Sequence, residues 1–403
     1  MPMNANAALA VYSFLTLLGW IGQGVGVPLF LATFIDADGN FTTGPYFVVL
    51  FCSIVFNFVY WPLVAVVAFD RREASTCARL STEIAYVRTR RGVLKILAIG
   101  VCNSLNGLLQ VYASSTTRVP GALQPILLQS TLLFTVVGSK LFLRKAYSKG
   151  QLGAAALVAV GVATALAPFL AELAKGGAST QLQSGPLWPL VLVLGCAPNA
   201  AMVLVQESLF DDVPAFSVPF LLGLTSLVQA VTVGLLFWTD LVPSFGTSAD
   251  ASVFGSHLTG GFECFFAPAS SANPARCGLC APLGLVFVFS YAAAYFFGGK
   301  VTQHASANLQ SLLATLGFFM QIYFWLALPT VNAWAGGKSY STLEIATTSV
   351  ALLPIGGGTF LFRWCEPSTA RERALHNLAN GAAPEGGRLT NTLLPTVNEE
   401  ARQ

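Results

Sequence analysis

Polar side chains recur along one face of two apolar segments of this chain. In the first segment Gln124, Thr131 and Thr135 lie at i, i+7 and i+11, so a helix carries all three on one side. Adding 186 residues maps them onto a second apolar segment, at Gln310, Gly317 and Gln321. Amides, hydroxyls and small residues inside an apolar helix either hold neighbouring helices together or line a hydrated path. Both interpretations stay open from the spacing alone.

The residue types that usually carry catalysis or bind metals are scarce. The chain has three histidines, and none stands in an HExxH or comparable metal motif. It contains no GxxxxGKS/T phosphate-binding loop and no GxGxxG motif that opens a helix after a strand. No pair of carboxylates or histidines shares an apolar segment. We therefore expect no catalytic residue, no metal and no cofactor, and hence no enzyme.

The composition is that of a membrane protein. Of the 403 residues, 54% are hydrophobic and 10% are charged, whereas soluble domains carry about 25% charged residues. The mean hydropathy of +0.66 agrees. These values exclude a soluble enzyme, a nucleic-acid-binding protein and a disordered regulator. They predict a polytopic protein surrounded by the lipid bilayer.

Ten apolar segments are long enough to cross a bilayer, whose core of about 30 Å needs about 20 helical residues. They cover residues 8–35, 45–69, 93–114, 120–143, 150–173, 187–206, 213–238, 282–299, 306–329 and 343–362. Glycine and proline are frequent in them, as is usual in membrane bundles. The sequence predicts an all-α integral membrane protein with ten transmembrane helices.

Lysine and arginine set the expected orientation. If the N-terminus is cytosolic, sixteen of the 21 Lys and Arg residues fall on the cytosolic side, four fall on the opposite side and Lys140 lies within a segment. This bias predicts that both termini are cytosolic. The only N-x-S/T sequon, at Asn40, then faces away from the cytosol and is a weak candidate for glycosylation, because it lies close to the membrane.

The 186-residue offset also organises the chain into repeats. The fourth and fifth segments match the ninth and tenth, which divides the chain into a first unit over 1–173, a second over 174–363 with a non-cytosolic loop at 241–281, and a disordered cytosolic tail at 364–403. An odd number of helices per unit inverts the second unit in the membrane. Inverted repeats are typical of secondary transporters, whose substrate lies between the repeats. The matched faces are then the expected substrate-binding surface.

The first segment carries a cluster of helix-breaking residues. Gly22, Gly24 and Gly26 alternate with Gln23 and precede Pro28. Such residues either unwind a helix beside a substrate or allow close helix packing, and we hold both interpretations open.

Two acidic residues and one amide are further candidates. Glu207 and Asp240 stand at segment edges, where a carboxylate either carries protons or is a solvated helix cap. Asn199, which follows a proline in the sixth segment, is a polar position that can face a cavity.

Four motifs resemble a known family. Residues 141–148 (LFLRKAYS) followed by QLGA at 151–154 resemble the drug/metabolite transporter superfamily. Within it, TRVPGALQ at 117–124 with Gln129 is similar to the chloroquine resistance transporter family, as are the GFEC and CGLC motifs at 261–264 and 277–280 and RLTN at 388–391. The resemblance covers nearly all of the chain. It implies ten helices and proton-coupled export of peptides, amino acids or cationic drugs from an acidic vacuole, with a plant branch that moves thiols across plastid membranes.

The resemblance also implies particular residues. Thr131, Ser290 and Met320 match substrate-discriminating positions, and a looser match in the first helix falls at Val27 and Pro28. The family's cysteine loop implies a disulfide between Cys264 and Cys280, with Cys277 either unpaired or the alternative partner. In the members of this family from malaria parasites an acidic residue stands in the eighth helix, where this chain has Ala293 or a neighbour, so the resemblance does not extend to the same proton route.

These observations predict a monomeric secondary active transporter that moves small solutes by alternating access, driven by protons or voltage. A vacuolar or lysosome-like membrane is the first expectation and a plastid membrane the second. A nucleotide-sugar or phosphorylated-metabolite exchanger is the alternative within transport, although Lys140 is the only basic residue inside a segment. A non-transporting receptor or scaffold is the alternative of another class.

Overall fold

A computed structural model describes residues 5–36, 40–69, 75–142, 144–174, 187–213, 216–243, 245–271, 273–305, 307–337 and 342–365. The described residues form α-helices and two short 3-10 turns, and no strand beyond one isolated bridge. The helices are α1 (Ala5–Ala32), α2 (Pro45–Phe69), α3 (Ser75–Val87), α4 (Arg90–Ala113), α5 (Gln124–Leu128), α6 (Ser130–Phe142), α7 (Lys149–Ala174), α8 (Trp188–Asp212), α9 (Val218–Leu235), α10 (Ala251–Phe266), α11 (Pro274–Cys277), α12 (Cys280–His304), α13 (Ala307–Ala327), α14 (Pro329–Trp334) and α15 (Thr342–Trp364). The expected disordered tail lies outside the described residues from 366 onwards.

Within the described ranges, nine helical segments are long and apolar enough to cross a membrane. They include α1, α2, α4, α7, α8 and α15, the joined α5–α6, and extended forms of α9 and α12. A further apolar stretch in α13, Leu312–Ala327, is shorter. The predicted all-α integral membrane class is confirmed, and the helices fall on the apolar segments read from the sequence.

The helices pack in recurring pairs. α1 lies along α12, α4 along α8, α2 along α9 and α7 along α15. α6 also packs against α8, and α13 against α1. Leucine, phenylalanine and tyrosine side chains from these helices form one contiguous buried cluster.

Helix α1 runs without a break through its glycines and Pro28. A Cβ on Gly19 would lie 2.5 Å from the backbone nitrogen of Ala294, and one on Gly22 would lie 2.2 Å from the hydroxyl of Ser290. The missing side chains therefore let α1 and α12 approach closely. The glycines of the first segment act in packing, because the described helix does not unwind.

The cysteine loop differs from its prediction. The disulfide joins Cys264, near the end of α10, to Cys277, the last residue of α11, with a Cα–Cα distance of 4.8 Å. A short turn over Pro268–Ser270 lets α11 return beside α10. Cys280 begins α12 and is a free thiol buried in the bundle. The first predicted pairing, Cys264 with Cys280, is therefore wrong, and Cys264 is joined instead to Cys277, the alternative partner.

Candidate functional site

Two adjoining cavities lie inside the bundle. The larger has a volume of about 50 Å³ and the smaller about 20 Å³. Residues of α1, α5, α6, α8, α12 and α13 line both. The shared lining consists of Trp20, Leu128, Thr131, Asn199, Tyr295 and Phe318. The two cavities thus share a belt of aromatic and small polar side chains that separates them.

The larger cavity is lined by amides and hydroxyls from three helices and the junction between α5 and α6. Gln129 occupies that junction, and its Oε1 accepts a hydrogen bond of 3.0 Å from the Thr315 hydroxyl of α13. Gln310 of α13 accepts from the Thr302 hydroxyl at 2.5 Å, and Gln206 of α8 completes the polar surface. These side chains link the two matched segments across the cavity.

The smaller cavity lies between α1, α4 and α13. Gln23, Gly24, Gln110 and Gln321 line it in addition to the shared belt. The Gln321 amide nitrogen donates to the backbone carbonyl of Trp20 at 2.8 Å. This bond ties α13 to α1 at the edge of the cavity.

Among the described lining residues of both cavities, none carries a charge. The polar groups are amides, hydroxyls, a phenol and an indole. A buried ion without a counter-charge is costly in such a site, whereas neutral hydrogen-bonding groups are accommodated. The lining suits a polar solute whose bound portion is uncharged.

Four of the predicted binding residues meet at these cavities. Thr131 lines both, Gln310 lines the larger, and Gln23 and Gln321 line the smaller. Asn199 faces both as well. The structure therefore brings together residues from four segments that are distant in the sequence.

Gln124 and Thr135 lie outside the lining of both cavities. The Gln124 amide donates to the backbone carbonyls of Ser114 and Val119, at 2.8 and 2.9 Å. The Thr135 hydroxyl donates to the carbonyl of Thr131 in its own helix at 2.8 Å. Gln124 thus stabilises the turn before α5, and Thr135 satisfies its hydroxyl within α6.

The remaining predicted positions serve packing or the outer surface. A Cβ on Gly317 would lie 2.9 Å from the Cβ of Trp20, so this glycine brings α13 close to α1. Met320 is 54% exposed on the outside of the bundle. Ser290 lies against Gly19 and Gly22 of α1. The last two predicted positions, Val27 and Pro28, are buried within α1.

Sequence reasoning did not select the aromatic belt. Trp20, Tyr295 and Phe318 lie in apolar helices, where an aromatic residue facing a cavity has the same sequence pattern as one facing lipid. Gln206 was not selected from the sequence either. The available signal was an amide in an apolar helix, which usually faces the inside of a bundle.

Asp240 lies in a separate buried cluster at the end of α9. It is 1% exposed and accepts hydrogen bonds from the Tyr112 hydroxyl at 2.7 Å and the Ser248 hydroxyl at 2.5 Å. Ser248 Oγ is 3.1 Å from His257 Nδ1 of α10. Burial lowers the pKa of His257, while the Asp240 carboxylate opposes that shift.

Arg118 completes the positive side of this cluster. Its guanidinium stacks 3.8 Å from the Trp188 ring and donates to the backbone carbonyl of Tyr112 at 2.7 Å. Burial lowers the pKa of Arg118 to about 10, against the opposing effects of Tyr112 and Asp240. The side chain remains cationic at neutral pH and balances the buried carboxylate.

Glu207 is placed at the opposite end of α8 from Trp188. Its carboxylate forms an ion pair with Lys145 at 2.5 Å, and both side chains are partly exposed. An exposed pair of this kind contributes about 0–1 kcal/mol to stability. Glu207 therefore belongs to the surface of the bundle and not to the cavity lining.

Comparisons with known proteins agree with the motifs. A family model described as CRT-like, chloroquine-resistance transporter-like, matches residues 42–330. Crt homolog 1 of Dictyostelium discoideum is 23% identical over 291 residues, covering 65% of this chain and 58% of the relative. Protein CLT2, chloroplastic, of Arabidopsis thaliana is 30% identical over 138 residues, 32% of this chain and 31% of the relative. This chain spans less than two thirds of either relative, but the family model covers most of it, and the chain belongs to the CRT-like family.

Proposed function

We propose that this protein is a secondary active transporter that carries small solutes through the paired cavities by alternating access. The hydrogen bond between Gln129 and Thr315 is the observation that supports this most directly. These residues are 186 positions apart, the offset that relates the two halves of the sequence. Equivalent residues touch each other only near a symmetry axis, and this contact supports a substrate site between two repeats at this cavity.

The helix pairs support two inverted repeats of five helices. If α1, α2, α4, α5–α6 and α7 correspond in order to α8, α9, α12, α13 and α15, the pairing of α1 with α12 corresponds to that of α8 with α4. Likewise α6 with α8 corresponds to α13 with α1. The pairs α2–α9 and α7–α15 correspond to themselves. We propose repeats over 1–173 and 174–363, ten transmembrane helices and cytosolic termini.

The uncharged lining limits the proposed substrates. Peptides, amino acids, thiols and amphiphilic drugs present neutral polar or aromatic portions that amides and aromatic rings can contact. A nucleotide-sugar or phosphorylated-metabolite exchanger needs Arg or Lys beside the substrate phosphate, and none is among the described lining residues. A scaffold has no use for a buried polar path. We therefore favour transport without catalysis, metal or cofactor, by a monomer.

The Asp240 cluster is the proposed proton-sensitive element. Asp240, Ser248 and His257 form a chain of hydrogen-bonding groups from the bundle to α10. In the proposed orientation this chain faces the non-cytosolic side, where an acidic compartment supplies protons. Glu207, ion-paired at the other end, is the second candidate carrier.

A vacuolar or lysosome-like membrane remains our first proposal for location. The name of the Arabidopsis relative, Protein CLT2, chloroplastic, includes a chloroplast location, which supports a plastid membrane as the second. The non-cytosolic face then carries the Cys264–Cys277 disulfide and the exposed Asn40, the proposed glycosylation site.

Uptake into proteoliposomes tests the proposal. Purified protein would be assayed with an acid interior or exterior and with a basic peptide, glutathione, single amino acids, chloroquine and a nucleotide sugar. We expect protein-dependent flux of one of the first four that disappears when the proton gradient and voltage are collapsed. Flux of the nucleotide sugar alone, independent of pH, would identify an exchanger, and no flux of any solute would favour the scaffold.

A further inference from the structure

The smaller cavity contains hydrogen-bonding atoms that the protein leaves without partners. Trp20 Nε1, Gln23 Oε1 and Gln321 Oε1 are buried and make no hydrogen bond within the described protein. All three side chains line this cavity. Trp20 is 9% and Gln321 1% exposed, so neither side chain reaches bulk solvent outside the bundle. A buried polar atom without a partner costs about 1–3 kcal/mol, so several of them in one place require a bound partner, either water or a polar group of a solute.

The orientation of the Gln321 amide follows from its neighbour. A backbone carbonyl can only accept a hydrogen bond, so the group facing the carbonyl of Trp20 at 2.8 Å must be the amide nitrogen. Oε1 is then directed elsewhere as a free acceptor. In the described orientation of the Gln23 amide, the residues that line the cavity hold two unpartnered acceptors, Gln23 Oε1 and Gln321 Oε1, and one unpartnered donor, the indole N–H of Trp20.

Gly24 makes this arrangement fit. A Cβ on Gly24 would lie 2.0 Å from Gln321 Oε1 and 2.4 Å from its Nε2. No other residue type leaves room for the amide against α1 at this point. The glycine thus brings the free Gln321 oxygen to the same wall as Gln23 and Trp20.

We propose that this end of the path is a subsite for an uncharged carboxamide group of the transported solute, an inference that rests on the proposed transport function. A primary carboxamide carries two N–H donors and one carbonyl acceptor. The donors match the oxygens of Gln23 and Gln321, and the carbonyl matches the indole of Trp20. Tyr295 and Phe318 supply apolar faces for the carbon atoms that precede the amide.

An ammonium group fits less well. It supplies donors for the two oxygens but no acceptor for the indole N–H. Its charge would also enter a cavity whose described lining has no acidic residue. A carboxylate fails for the opposite reason, because it cannot donate to the two oxygens. Of the carboxamide, the ammonium and the carboxylate, only the neutral carboxamide carries both the donors and the acceptor that these three atoms require.

The test compares amino-acid ligands that differ in the group at the end of the side chain. L-Glutamine would be compared with the γ-methyl ester of L-glutamic acid, which keeps the carbonyl but lacks the amide hydrogens, and with L-lysine as the ammonium probe. Binding is measured as ligand-induced thermal stabilisation of the purified full chain, which does not require transport. We expect stabilisation by L-glutamine at a concentration at which the ester and L-lysine give none.

Three single variants test which side chains form the carboxamide subsite. Gln321→Leu, Gln23→Leu and Trp20→Phe each remove one of the matched atoms, and each is expected to weaken L-glutamine binding about threefold to tenfold. Gln303→Leu is the matched control, because its amide also donates to a backbone carbonyl, that of Phe216 at 3.0 Å, and lies outside both cavity linings. Gln303→Leu should keep wild-type binding.

The outcomes separate this inference from the proposed function. Equal stabilisation by L-glutamine and the methyl ester, or stabilisation by L-lysine alone, would overturn the carboxamide subsite. Loss of binding in Gln303→Leu equal to that in Gln321→Leu would also overturn it. Glutamine binding without any gradient-driven flux of glutamine would leave the subsite standing and contradict the transport proposal. Gradient-driven flux of another solute, without a preference for L-glutamine over the methyl ester, would support the transport proposal and overturn the carboxamide subsite.

Discussion

Gln124 and Gln310 occupy equivalent positions in the two halves of the sequence, and their amides have different partners. Gln124 begins α5 and bonds two carbonyls of the preceding turn. Gln310 lies inside α13, which continues from Ala307 to Ala327, and its side chain lines the larger cavity. The first-unit helix is interrupted between α5 and α6, where Gln129 enters the cavity instead.

The difference shows how a repeat can acquire an asymmetric site. One interruption in α5–α6 shifts the cavity-facing amide from Gln124 to Gln129, while the uninterrupted α13 keeps both Gln310 and Gln321 at the cavity. At this matched pair of segments the first unit contributes Gln129 and the Thr131 hydroxyl to the cavities, and the second unit contributes Gln310 and Gln321. Variants that affect one face and spare the other test this division.

The largest effect is expected from Gly24→Ala. The new methyl group would occupy the place of the Gln321 amide, and overpacking of this kind costs about 1–3 kcal/mol. We expect uptake per folded molecule to fall roughly tenfold or more. Gly107→Ala is the control, because a Cβ there meets nothing within 4 Å. Equal uptake by the two variants would show that the contact between α1 and α13 does not shape the path.

Replacing each of the two matched glutamines by alanine should separate an effect on stability from an effect on transport. Gln310→Ala is expected to reduce uptake about threefold to tenfold, because it removes a cavity amide. It should lower Tm less than Gln124→Ala does, because the only hydrogen bond lost among the described residues is that from Thr302, whose hydroxyl also bonds the carbonyl of Gly298. Gln124→Ala is expected to lose about 1–3 kcal/mol of stability, because two buried carbonyls lose their donor, while uptake per folded molecule is retained. Uptake and Tm are measured on both variants. Equal losses of uptake and of Tm in the two variants would contradict the assignment of Gln124 to stability and Gln310 to transport.

A smaller contrast is expected between two threonines one turn apart. Thr131→Val removes a hydroxyl from both cavities and should lower uptake about twofold to fivefold. Thr135→Val removes a hydroxyl that bonds its own helix, and should leave uptake unchanged. Initial uptake rates at matched protein levels measure the difference. A larger loss in Thr135→Val than in Thr131→Val would be contrary to the geometry.

The smallest effect concerns pH. The pKa of His257 is lowered by burial, so its contribution to stability is complete above the unfolded value of about 6.5 and is lost as the pH falls through the folded value. The Tm of the wild type should therefore fall on acidification from about pH 7 to about pH 5, and His257→Gln should reduce that fall. Gln310→Ala, in the uncharged cavity, should keep the wild-type pH dependence. An identical Tm–pH curve for His257→Gln would exclude a role of this group.

Much of the fold was predictable from the sequence, because long apolar segments separated by basic loops permit only membrane helices. The cavity was predictable in part. Gln310, Gln321, Thr131 and Gln23 stand out as polar groups in apolar helices, and the helical period places them on inward faces.

Other features depend on local geometry that periodicity does not contain. The break beside Gln129 redirects Gln124, and the short turn after α10 exchanges Cys277 for Cys280 in the disulfide. The aromatic belt around Tyr295 could not be separated from lipid-facing residues, since both occupy apolar helices. Met320 is a position implied by the family resemblance, and its side chain lies on the outside of the bundle.

We propose that solute passes along the axis between the two halves, where Gln129 accepts a hydrogen bond from Thr315. The most direct measurement is gradient-driven uptake by the double variant Gln129→Leu/Thr315→Val, with Tm as the measure of folding. We predict that flux falls about tenfold or more, because both cavity-facing polar groups at the axis become apolar. Wild-type flux in a double variant with wild-type Tm would contradict the account and direct the search for the path to another part of the bundle.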